Sequence, residues 1–131
     1  MALAYDAVSI RNTMLDSITT RAGNAALLRF YDGTRPATAG AATNLLATLT
    51  CGTPFAAGAA AGVLTLGAIT GANASATGTT TWFRIVKADG STFVMDGNVG
   101  TSGSDLNMTT TSFVSGQPVA VSSFVITEAN P

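Results

Sequence analysis

The side chains able to do acid–base or nucleophilic chemistry are few and scattered. The chain holds seven acids, six basic residues and no His. Without His it lacks the commonest general base and the commonest neutral metal ligand. A Ser-His-Asp arrangement is impossible, and the single lysine, Lys87, has no motif around it for a Ser-Lys pair. The acids are Asp6, Asp16, Asp32, Asp89, Asp96, Asp105 and Glu128. Asp32, Asp89 and Asp96 each precede a Gly, where Asp serves backbone hydrogen bonds in turns. No acids fall at the short alternating spacing of a calcium loop. Cys51 is alone, so it makes no internal disulfide, which fits a reducing compartment of synthesis. No basic residue adjoins it to lower its pKa, and it reads as a small buried hydrophobe. The Gly-rich stretch 97–104 lacks the Lys and the following helix of a phosphate loop. These features predict a protein that is not an enzyme and that has no catalytic residues, cofactor or metal.

Composition sets the surface character. Charged residues make up 10% of the chain and the net charge is −1, against about 25% charged in ordinary domains. No basic patch exists to neutralise phosphates, so nucleic acid is not an expected partner. No apolar run reaches the roughly 18 residues of a membrane span, because Gly58, Gly62 and Gly67 break the stretch 56–68. The first residues lack the basic start and apolar run of a secretory signal. A weakly charged surface of Ala, Thr, Gly and Ser suits a chain packed against others, because charge is depleted at interface cores.

The elements that position these residues are mostly strands. At 131 residues the chain is one domain, with a helical segment at 1–24 and a β-sandwich over 25–131. The helix is predicted from Tyr5 to Ala22, with Ala7, Ile10, Met14 and Ile18 as its apolar stripe and Val8 and Leu15 off it. Strands are predicted at 25–32, 45–51, 63–69, 105–114 and 119–128. Thr79 to Asp96 reads as a hairpin around Asp89-Gly90. In its first strand Thr81, Phe83 and Ile85 form one face; Thr80, Trp82, Arg84 and Val86 form the other. A strand apolar on both faces is covered on both, so the N-terminal helix or another chain must sit over Trp82. Thr34 to Asn44 and Thr53 to Gly62 are loops, the second anchored by Phe55. The count of about seven or eight strands at short spacing predicts a mostly β fold, an antiparallel β-sandwich or jelly roll with one N-terminal α-helix.

Five segments carry a family resemblance over nearly the whole chain: LLRFYDGTRP (27–36), GVLT (62–65), ATGTTTWFR (76–84), GTSGSDLN (100–107) and SSFVIT (122–127). The sequence resembles small virion structural proteins of tailed bacteriophages and prophages. It is similar to the jelly-roll capsid cement, or decoration, proteins that sit outside the head of short-tailed phages. The resemblance implies a protein made in the bacterial host cytoplasm and located on the capsid surface of the virion. There it would bind the major capsid protein and clamp neighbouring subunits, self-associating as a homodimer. It carries over no catalytic residues.

Trp, Tyr and Arg dominate binding hot spots. Tyr5, Tyr31, Phe55 and Trp82 are therefore expected aromatic anchors, with Arg35 and Arg84 as polar ones. Each has a plainer reading. Trp82 lies under the helix, Tyr31 in the core, and Arg84 pairs with Asp96 across the hairpin. Two other functions fit the same surface: a tail or baseplate component, and a carbohydrate-binding module for host attachment.

Overall fold

The computed structural model describes residues 6–127. The fold is mostly β, built on a curled five-stranded sheet of order β2-β1-β6-β7-β8. These strands are β1 Leu27–Tyr31, β2 Leu45–Thr50, β6 Trp82–Val86, β7 Phe93–Gly100 and β8 Leu106–Asn107. All the pairings are antiparallel except β7 with β8. Three two-stranded ribbons complete the β structure. They join β10 (Pro118–Val119) to β4 (Ala72–Asn73), β11 (Val125–Thr127) to β3 (Val63–Thr65), and β5 (Gly78–Thr79) to β9 (Ser112–Phe113).

The register of the sheet explains its core. Leu28 stands between Leu49 and Ile85, and Phe30 between Ala47 and Phe83. All six are fully buried. The ribbons close over this face through edge-to-face aromatic pairs, Phe30–Phe113 at 5.5 Å and Phe83–Phe124 at 5.2 Å. Offset T-shaped rings add to simple area burial. Phe55 is buried in the same core, as the loop-anchor reading expects.

The N-terminal helix starts with a wide turn, Ala7–Arg11, in which the Arg11 amide reaches back to the Asp6 carbonyl at 2.9 Å. The Asp6 carboxylate caps it by accepting from the Ser9 amide at 2.6 Å. The α-helical part, α1, is Asn12–Ala22. Gly23, at φ 69°, ends it by donating to the Thr19 carbonyl. The expected start at Tyr5 lies outside the described residues, as does Glu128 at the expected end of the last strand.

The expected apolar stripe is corrected. Leu15 and Ala22 are buried and Ile18 packs partly against the core. Ile10 and Met14 are 46% and 41% exposed. The reason is polar. Asp16 accepts from the Ala59 amide at 2.8 Å, and Asn12 accepts from the Gly62 amide at 2.9 Å. These bonds fix the rotation of α1 so that Leu15, Ile18 and Ala22, spaced i, i+3 and i+7, face inward. They also hold the Ala- and Gly-rich loop that Phe55 anchors from below.

Strand boundaries also shift. Thr79 belongs to β5, and the chain changes sheets at Thr80, which is buried and donates to the Tyr31 carbonyl at 3.1 Å. The stretch 70–78, between the strands expected at 63–69 and in the hairpin, contributes β4 and the start of β5. The expected strands at 63–69, 105–114 and 119–128 shorten or break into pieces of two or three residues. Thr- and Ser-rich runs suit a strand anywhere, but a ladder forms only where a partner lies alongside. β7 runs past Asp96 to Gly100, into the segment expected as a Gly-rich connection. The hairpin itself stands: Gly90, at φ 79°, donates to the Lys87 carbonyl at 2.9 Å. The Asp89 carboxyl is held well below the usual carboxylate range, first by the Thr92 hydroxyl and then by the Thr92 and Ser91 amides.

Gly97 tests this packing. A Cβ there would lie 2.4 Å from two Phe83 ring atoms, and Phe83 is wedged against Phe124. Gly97→Ala is expected to cost about 2 kcal/mol and lower Tm by roughly 6 °C in thermal unfolding. An unchanged Tm would show that the ring has room to move.

Candidate functional site

Among the described residues, the outer face of the sheet, opposite the core, gathers three of the side chains expected to bind, Tyr31, Trp82 and Arg84. Period-two alternation places Tyr31 of β1 beside Trp82 and Arg84 of β6, with Asp96 of β7 next in register. Tyr31 stacks on Trp82 with ring centroids 4.4 Å apart and planes 16° off parallel. The Arg84 guanidinium lies 5.2 Å above the Trp82 ring and 5.5 Å from the Phe93 ring. Arg84 grips Asp96 with two hydrogen bonds, Nε to Oδ1 at 2.6 Å and Nη2 to Oδ2 at 3.0 Å. This bidentate geometry makes a strong charge-assisted pair. It raises the Arg84 pKa above its ordinary value, chiefly through the hydrogen bond to Asp96.

The segment 33–44 arches over these rings as a strap, and both its ends and its middle are tied down. At the ends, Asp32 accepts from the Asn44 amide at 3.1 Å and from its side chain at 3.2 Å. The Trp82 indole donates to the Asp32 carbonyl and to the Thr43 hydroxyl, both at 3.0 Å. In the middle, Arg84 Nη2 donates to the Gly40 carbonyl at 2.9 Å, and Asp96 Oδ2 accepts from the Ala39 amide at 3.2 Å. The cover over Trp82 is thus the chain's own loop. The expectation that the helix or another chain sits there is corrected: the helix packs on the opposite, core face through Leu15.

The six expected anchors separate accordingly. Tyr31, Trp82 and Arg84 come together, but as the strap's interior: Trp82 is fully buried and Tyr31 is 5% exposed. Arg84 is in the cross-strand pair with Asp96 that the hairpin predicts. Phe55 is fully buried on the other side of the sheet. Neither Phe55 nor Trp82 presents a surface to a partner. Tyr5 lies outside the described residues. Arg35, at the start of the strap, is exposed. It rims a groove of about 450 Å³ between the strap and β7 residues Phe93 to Asp96. Residue-type reasoning missed Ile10 and Met14, whose exposure depends on how α1 is rotated. It also missed Phe93 to Met95, whose edge position depends on strand order.

No described group matches nucleophilic or metal chemistry. Among the described residues no three His, Cys, Asp or Glu side chains cluster. Burial pushes the Cys51 thiol up to about 11, where the thiolate needed for attack is scarce. Among the described residues no helix is long and apolar enough to cross a membrane. Comparison with protein-family models, with curated proteins and with solved structures finds no match in any of the three.

Two outcomes follow. Asp96→Ala strips the carboxylate from Arg84, whose side chain is only 13% exposed, and loosens the strap. A loss of about 3 kcal/mol is expected, with red-shifted Trp82 fluorescence in the folded protein; unshifted emission would mean the strap holds without the pair. Cys51 should resist a disulfide reagent at about pH 8 until denaturant is added. Fast labelling of the native protein would place the thiol at the surface.

Proposed function

We propose that the protein is a non-enzymatic virion subunit, a cement that binds the outside of a phage head and stabilises contacts between major capsid subunits. On this reading the curled sheet with its three ribbons is a small jelly-roll-like sandwich, and copies self-associate as homodimers on the shell. The segments that resemble phage virion proteins support the family. The observation that carries the assembly role is the outward face of the N-terminal helix. Its exposed positions are Ser9, Ile10, Thr13, Met14, Ser17, Thr20 and Arg21. A helix that meets only water carries charged residues there. This one shows two large apolar side chains among Ser and Thr, and one cation at its end. It is already docked on its own core through Leu15, so the apolar outer face serves something else.

The mechanism is mass action. A subunit that binds the assembled shell and not its separated parts stabilises the shell by its binding free energy. Many copies with modest interfaces act together, and none needs a catalytic group.

The deciding measurement is copy number in purified virions. Stoichiometry near that of the major capsid protein supports a cement, a few copies per virion moves the protein to the tail or baseplate, and absence overturns the virion role. The double variant Ile10→Lys, Met14→Lys alters exposed positions and should fold. It should bind heads about tenfold more weakly, about 1.4 kcal/mol. Full occupancy by this variant would remove the helix face from the interface.

A further inference from the structure

The sheet has an open edge. β7 pairs with β6 along one side from Phe93 to Asn98, but on its other side it meets β8 only at Val99 and Gly100. Backbone groups of alternate residues point to that outer side. The Asn98 amide points there and is taken by the Asp105 carboxylate at 2.8 Å. The Gly100 carbonyl is taken by the Met108 amide at 2.9 Å. At the far end the Phe93 carbonyl accepts from Arg21 Nε at 3.2 Å. By the same alternation, the Asp96 amide and carbonyl also face outward. Among the described residues no strand and no other backbone hydrogen bond engages them there. The edge is therefore capped at both ends and open between them.

Two grooves run along this open stretch. The first, about 450 Å³, lies between the strap, starting at Arg35, and Phe93 to Asp96. The second, about 170 Å³, lies on the core side of the same stretch, along Met95 to Gly97, and is walled by Phe124 and β11. An unpaired edge beside a trough is the geometry of strand addition, in which main-chain bonds supply affinity and side-chain troughs supply selectivity. The one-residue register shift at Val94 ends the regular ladder, so the stretch accommodates a short segment.

Charge selects the segment. Arg21 stands at one end of the edge and Arg35 on the rim, both exposed. The Arg35 guanidinium has no ion pair or hydrogen bond among the described residues. Asp96, which lines the same groove, is already paired with Arg84. Phe93, Val94 and Met95 are partly exposed and offer apolar contact. We propose that the β7 edge from Val94 to Gly97 docks a short extended segment of a partner protein, with alternating apolar side chains and an acidic residue set against Arg35. This site does not depend on where in a virion the protein sits.

The test uses the full chain and a set of short synthetic peptides alternating Val, Ile or Thr with one central Glu. Binding is followed by backbone amide shifts. The expected result is shifts concentrated at Val94 to Gly97, lost when alternate peptide amides are N-methylated. Replacing Glu by Lys should weaken binding about fivefold, and Arg35→Glu should invert that preference. Three results would overturn the proposal: no shifts at the edge for any peptide, equal binding of N-methylated peptides, or an edge already occupied by a second copy. The last would show as concentration-dependent shifts of the same amides without peptide.

Discussion

Strand β6 is apolar on both faces, and the rest of the structure depends on burying both. Phe83 and Ile85 face one way and are covered by the ribbons, the helix and Phe124. Trp82 and Val86 face the other way and are equally buried. The core side is an ordinary packing problem, solved by many small apolar contacts. The outer side is harder, because the cover is a loop of Thr, Ala, Gly and Pro with little apolar area of its own. Hydrophobic burial scales with apolar area, so such a loop cannot hold itself down by packing. It is held by hydrogen bonds at fixed points instead. Asp32, Thr43 and the Trp82 indole fix the ends, and the Arg84–Asp96 pair fixes the middle. The pair is itself mostly buried, so its net worth as an ion pair is small. Its value is directional: Arg84 Nη2 and Asp96 Oδ2, while bonded to each other, each also bond the strap backbone.

The same division recurs across the core. The loop 53–62 is as poor in large side chains as the strap. Phe55 pins it from inside, and Asn12 and Asp16 pin its backbone from the helix. A chain built from small residues therefore relies on a few polar side chains, each holding a stretch of backbone that packing would leave loose. This accounts for the placement of its few acids. Asp6 caps the helix, Asp16 and Asp32 hold loops, Asp89 closes the hairpin turn, Asp96 holds the strap and Asp105 caps a strand edge. Six of the seven acids are engaged with backbone amides.

Much of this was legible in the residues, and the rest failed for physical reasons. The hairpin, its Asp-Gly turn, the helix end at Ala22, the two-faced strand and the Arg84–Asp96 pair all follow from local patterns. The helix stripe holds at Ile18 and fails at Ile10 and Met14, because in sequence these are as apolar as Leu15. Only the hydrogen bonds of Asn12 and Asp16 to a loop more than forty residues away decide the rotation. The cover over Trp82 was misassigned because a loop rich in Ala and Thr gives no packing signal, while its anchors are backbone atoms that composition does not show. The terminal third was read as longer strands than it has, because Thr-Ser runs satisfy strand propensity everywhere and partner geometry decides where ladders form. Trp82 and Phe55 are buried rather than presented for the related reason that large aromatics are the side chains a small core needs most.

What remains at the surface is sparsely charged and shallow, and this bears on how such a protein binds. Buried aromatics are unavailable as hot spots, so affinity per contact must come from other sources. Ile10 and Met14 offer apolar area, and the β7 edge offers backbone hydrogen bonds. Arg35 offers a single charge of the kind that steers and selects more than it binds. Contacts of these kinds are individually modest. They are compatible with the proposed cement role, in which many copies attach to a repeating surface. They would serve poorly a protein that must find one rare partner in solution, for which a buried aromatic anchor at the interface centre is the common arrangement. The packing of Trp82 and Phe55 inside the fold removes them as anchors, so on the proposed cement reading attachment rests on many modest contacts acting together.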